Sequence, residues 1–136
     1  MSERGRSGRG GPERFERGMA VRREVLGEAH VARAEAARSA FDAPFQELIV
    51  EAAWGRVWAG EELSRRERSL LTLALLAAGG HWDELAMHVR ATVRTGASPA
   101  EVREAFLHVA IYAGVPAANR AFRVARETYE EMGVKL

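Results

Sequence analysis

Apolar residues recur along this chain every three to four positions, and no stretch alternates apolar and polar with β-branched enrichment, so the pattern predicts helices throughout. A first helix is expected over 13–26, stopping at Gly27, where a left-handed conformation costs little. Asp42-Ala-Pro44 opens a second, with Phe45, Leu48, Ile49, Ala52, Ala53 and Val57 at helical spacing as its core face. Trp54 and Trp58 fall on a neighbouring face. Ser64-Arg-Arg-Glu67 has capping-box spacing and leads into an apolar run over 70–78 that ends at Gly79-Gly80. A fourth helix covers about 82–94 and closes at Gly96. Ser98-Pro99-Ala-Glu101 combines a cap, a first-turn proline and a reciprocal glutamate, and starts a fifth helix whose stripe is Val102, Ala105, Phe106 and Val109. Gly114-Val-Pro116 breaks it from a last helix, about 117–132, ended by Gly133. Five to six helices on short loops predict an all-α fold with orthogonal or bundle-like packing. Residues 1–12, rich in Gly, Ser and Arg without an apolar anchor, read as a disordered tail before a helical domain over 13–136.

At 136 residues the chain suffices for one core, yet extended helical faces call for a partner subunit, so a homo-oligomer is expected. The formal charge is +1 and five of the arginines precede Gly18. The remainder is close to neutral, which argues against nucleic acid but leaves an anionic small molecule open, because arginine grips planar carboxylates with a rigid fork. With no cysteine, disulfides, thiolate metal sites and thiol redox chemistry are excluded. No apolar run reaches the roughly 18 residues of a spanning helix and no signal-peptide core follows Met1, so no membrane partner is expected and the cytoplasm is the default.

Two segments concentrate polar chemistry in Ala/Leu/Val-rich surroundings, residues 81–88 and 108–119. His88 lies four residues after Glu84 and seven after His81, so the three share one side of a helix or its entry. The bland reading is a half-exposed face with one side-chain pair; the functional one is an imidazole turned to a cavity as an acid. His108 and Tyr112, also four apart, read equally well as a hydrogen-bonded core pair or as site residues. Glu84-x-x-x-His88 is not a zinc signature, since no HExxH pattern or thiolate accompanies it, and no metal is expected. No P-loop, GxGxxG or GxSxG occurs. Arg65, Arg66 and Arg68 crowd a helix start, where cations oppose the helix dipole; Arg68, beside the apolar run, is the candidate for a substrate carboxylate. Trp54, Trp58 and Trp82 suit a core or the wall of an apolar pocket.

The segments Phe45-Gln-Glu-Leu-Ile-Val-Glu-Ala-Ala-Trp54-Gly-Arg-Val-Trp58, Leu63-Ser-Arg-Arg-Glu-Arg-Ser-Leu70, Glu84-Leu-Ala-Met-His-Val-Arg90 and Ile111-Tyr-Ala-Gly-Val-Pro-Ala-Ala-Asn119, with Val21-Arg-Arg-Glu-Val-Leu-Gly27, closely resemble the gamma-carboxymuconolactone decarboxylases. The resemblance implies an alkylhydroperoxidase-D-like helical fold, assembled as a ring of subunits, with a hexamer expected. Redox relatives of that superfamily carry Cys-x-x-Cys-x-x-x-His, where this chain has His81-x-x-Glu84-x-x-x-His88, so peroxidase chemistry is not expected. The decarboxylases usually carry Arg-Pro-Gly before the position of Leu63, where this chain has Ala59-Gly-Glu-Glu62.

The implied activity is loss of carbon dioxide from gamma-carboxymuconolactone (4-carboxymuconolactone) to give 3-oxoadipate enol-lactone in protocatechuate degradation. The substrate's own lactone carbonyl is the electron sink, so no cofactor is needed. The protein must hold a dicarboxylate lactone, stabilise a dienolate oxygen and deliver a proton. Imidazole suits that delivery, with an unperturbed pKa of roughly 6.5. The expected catalytic set is His88 as general acid, oriented by Glu84 or Tyr112, with His108 and Asn119 at the lactone oxygens, Arg68 on the retained carboxylate, and Trp54 or Trp58 as apolar wall around the departing one. The alternatives are a non-catalytic oligomeric scaffold or binding protein, and an enzyme acting on a related lactone or β-keto acid.

Overall fold

The computed structural model describes residues 11–136. The expected tail therefore lies outside the described residues except for Gly11 and Pro12, which already belong to the first helix. The all-α expectation holds, with no strand among the described residues. They form two compact units, divided between Glu62 and Leu63.

The first unit comprises α1 (Gly11–Leu26), α2 (Glu28–Ala37) and α3 (Ala43–Ile49), the last continuing directly into a π-helical segment, Val50–Val57. The spacing reading missed α2. Its sequence, rich in Ala, Glu and Arg, favours a helix by propensity, but it buries only Val31 and so carries no apolar period to detect. α1 crosses the π segment at two glycines. A Cβ on Gly18 would lie 2.1 Å from the Val50 carbonyl oxygen, and one on Gly55 2.5 Å from that of Arg14, so this crossing requires bare backbone on both sides. The expected core face is a correction: Phe45, Leu48 and Val57 are exposed, and Val50, Trp54 and Trp58 are buried instead. For Val57 the cause is the wider turn, seen in the 2.8 Å bond from the Trp58 N–H to the Ala53 carbonyl, which rotates later side chains away from an α-helical register; Phe45 and Leu48 precede it on α3, while α1 packs on the π segment.

The second unit contains α4 (Arg65–Gly79), α5 (Trp82–Thr95), α6 (Pro99–Tyr112) and α7 (Val115–Met132). With the three earlier α-helices that makes seven, more than the five to six expected. Both expected capping boxes are formed. Ser64 Oγ accepts from the Glu67 N–H at 3.0 Å while Glu67 Oε1 accepts from the Ser64 N–H at 2.8 Å. Ser98 and Glu101 repeat this at 3.1 and 2.9 Å. α4 packs on α5 and α6, and α7 packs on the same two, so α5 and α6 occupy opposite corners of the four helices. Leu73, Leu85, Val89, Val102, Phe106 and Ala121 fill the centre. The stripe expected on α6 is buried as read, save that Ala105 is half-buried.

Candidate functional site

In the second unit the polar groups withdrawn from water gather on one helix. The described residues contain six buried polar side chains, of which Ser69, His88, Thr92 and Thr95 belong to the α4–α5 pair. His88, Thr92 and Thr95 stand at i, i+4 and i+7, one face of α5, and Glu84 extends the same stripe by a turn into solvent. His88 is 6% exposed. Thr95 Oγ1 donates to Ser69 Oγ at 2.9 Å, which ties the end of α5 to the start of α4. Thr92 Oγ1 donates to the Val89 carbonyl at 2.6 Å. Tyr129 of α7 completes the wall: burial pushes its phenol pKa up, and the Thr92 hydroxyl partly offsets this. The hydroxyls of Ser69, Thr92 and Thr95 are hydrogen-bonded within the protein, which leaves His88 as the buried titratable group of the stripe and the candidate for chemistry.

Arg68 adjoins Ser69 and is half-buried, with its Nε buried and lacking a hydrogen-bond partner among the described residues. The Ser69–Thr95 bond sets the start of α4 beside the end of α5, two turns beyond His88.

The other expected residues are distributed differently. Tyr112 is 80% exposed, and His108 and Tyr112 stack with ring centroids 5.1 Å apart, so they are not a hydrogen-bonded core pair. They ride on α6, the corner opposite α5, so this unit does not bring Tyr112 to His88 as an orienting group. Asn119 is exposed on α7. His81 is exposed, its ring laid against Gly79, where a Cβ would come within 2.8 Å. His108 lines a groove of about 540 Å³ between α4 and α6 together with Glu67, Glu101 and Glu104. Capping hydrogen bonds from Ser64 and Ser98 hold the Glu67 and Glu101 carboxyls below the usual range, with Arg66 adding to both. Three carboxylates make that groove a poor host for a dianion.

In the first unit Trp54 and Trp58 are buried and stacked at 5.3 Å. The residue that spacing arguments passed over there is Arg22, buried on α1, with Nη1 unpartnered among the described residues. Burial lowers its guanidinium pKa, against the raising effect of Glu35. Its position four after Gly18 and three before Val25 on the buried stripe was the available signal. Thr92 and Thr95 were similarly detectable, by extending the helical period from His88, whereas Ser69 sits on α4 and joins them only through its bond to Thr95.

Among the described residues no group of three or more His, Cys, Asp or Glu is placed to hold a metal ion. No described helix is long and apolar enough to cross a membrane.

The sequence comparisons supply the class. The family model described as the carboxymuconolactone decarboxylase family matches residues 43–127, and the chain belongs to that family. It is 43% identical over 122 residues, covering 90% of this chain and 91% of the relative, to a 4-carboxymuconolactone decarboxylase from Acinetobacter baylyi. It is 42% identical over 118 residues, covering 87% of this chain and 82% of the relative, to the nitrosuccinic acid decarboxylase npaB from Metarhizium robertsii. Both printed names denote removal of carbon dioxide from a carboxylic acid.

Proposed function

We propose that this protein decarboxylates 4-carboxymuconolactone to 3-oxoadipate enol-lactone without a cofactor, within protocatechuate degradation. The observation that carries the reading is His88, buried at the centre of the α5 polar stripe in a chain so similar to a 4-carboxymuconolactone decarboxylase. The bond from the ring carbon to its carboxylate breaks, carbon dioxide leaves, and the electron pair spreads through the ring double bond into the lactone carbonyl. His88 returns a proton to carbon, with Glu84, one turn earlier on the same face, as its positioning group. Arg68 binds the retained carboxylate rather than the departing one, which a firm clamp would hold in the ground state. Trp54, Trp58, Asn119, His108 and Tyr112 are further candidates, proposed from their side-chain chemistry. The exposed Leu71, Leu75, Leu107, Ile111 and Tyr112 support a homo-oligomer. A hexamer is proposed from the family resemblance, and a cytoplasmic location alongside it.

The test incubates purified protein with 4-carboxymuconolactone and follows carbon dioxide release and enol-lactone formation. Absence of turnover would sink the reading. A second reading has support in the nitrosuccinic acid decarboxylase relative and in Ala59-Gly-Glu-Glu62 standing where the lactone enzymes usually carry Arg-Pro-Gly. Faster turnover of nitrosuccinic acid than of the lactone would favour it. Inactivity on both acids would leave an enzyme of a related lactone or β-keto acid, or the non-catalytic scaffold.

A further inference from the structure

A second cavity in the Leu63–Leu136 unit, about 480 Å³ in volume, lies between the first turns of α6, the second half of α7 and the segment that follows it. Val102, Phe106 and Phe122 form its apolar wall, the two phenylalanines meeting edge to face at 5.4 Å. Arg103, Arg126 and Lys135 also line it, all exposed, and none has an ion pair among the described residues. No acidic side chain contributes to the lining, and neither do Arg68, Glu84, His88, His108 or Asn119. A volume of this size suits a small organic molecule, and cations without acids on an apolar wall select one that is anionic at one end and greasy at the other.

We propose that this cavity, which meets the polar stripe of α5 only at Tyr129, is a second binding site for a monocarboxylate carrying an aromatic or branched hydrocarbon body. The body rests on Val102, Phe106 and Phe122, and the carboxylate takes charge-assisted hydrogen bonds from Arg103 and Arg126, with Lys135 adding charge. The phenylalanine wall also sets the selectivity. A dicarboxylate would have to bury its second charge against it, a cost that a monoacid avoids. The site therefore discriminates against the diacids proposed as substrates.

The probe is phenylacetate, titrated into the full-length protein by calorimetry and by amide chemical-shift mapping. Shifts are expected at Val102, Arg103, Tyr129 and Lys135 and not at Glu84 or His88. Neutral phenylacetamide and apolar-poor succinate should each bind at least roughly tenfold more weakly, and the double variant R103Q/R126Q should lose phenylacetate affinity by a similar factor while retaining decarboxylase turnover. Equal affinity of the double variant, equal affinity for phenylacetamide, shifts confined to α5, or purely competitive displacement by the decarboxylation substrate would each overturn the proposal. Lys135→Gln, at the chain's exposed end, gives an independent weakening that does not depend on the double variant folding.

Discussion

The two units of this protein obey different rules. In the Leu63–Leu136 unit, helices start at Ser64 and Ser98 because those hydroxyls and the glutamates three residues on satisfy each other's backbone partners, and α4, α5 and α7 end on glycines in the left-handed conformation. In the Met1–Glu62 unit, α2 carries almost no apolar stripe, Asp42 Oδ1 accepts from the Ser39 N–H instead of capping α3, and α3 widens into a π segment. One unit is assembled from local signals and the other from the fit of two backbones at Gly18 and Gly55. Local signals can be read position by position, whereas a backbone crossing exists only once both partners are placed.

The largest expected effects strike that contrast directly. Gly18→Ala forces a methyl into the Val50 carbonyl, which is backbone and cannot swing aside, so a loss of about 3 kcal/mol in urea unfolding is expected. Gly96→Ala, in open space at φ +88°, meets only conformational strain and should cost about 1 kcal/mol. Equal losses would erase the distinction between a crossing and a cap.

Next comes the active stripe. His88→Ala should lower kcat roughly 10²-fold with unchanged circular dichroism, the scale expected on removing a positioned acid. His108→Ala, on the opposite corner among three carboxylates, should do much less, and the reverse ranking would transfer the acid role to His108. Arg68→Ala should chiefly raise KM, because its carboxylate contact persists from ground state to transition state.

Smaller effects belong to the caps. Ser64→Ala and Ser98→Ala should each cost about 1 kcal/mol. Arg66 of α4 pairs with Glu101 of the second box, so the two losses should fall short of or exceed simple additivity by a few tenths of a kcal/mol in a double-mutant cycle, where unlinked caps would add.

The weakest lever is pH. The Glu67 and Glu101 carboxyls are held below their ordinary values, so their contribution is present above the usual carboxylate range and disappears as pH falls through the lowered values. Thermal midpoints should therefore decline below about pH 4, and less steeply in the Glu67→Gln, Glu101→Gln double variant, which removes the titrating carboxyls. An identical slope in both proteins would remove the caps as its cause.

The amino-acid sequence by itself determined the all-helical class, the starts of α4 and α6, and the glycine stops, because each depends on hydrogen bonds spanning three to five residues. It also singled out His88 as a polar group in apolar surroundings. Tertiary structure alone decided which face of 45–58 is buried, since the choice between Phe45, Leu48 and Val57 and the tryptophans turns on a π-helical register and a partner backbone. It also separated His88 from His108 and Tyr112. All three satisfy the same helical spacing, and only the packing of α4 and α7 between α5 and α6 sets them at opposite corners, because periodicity specifies a face of one helix and says nothing about which helix that face will meet.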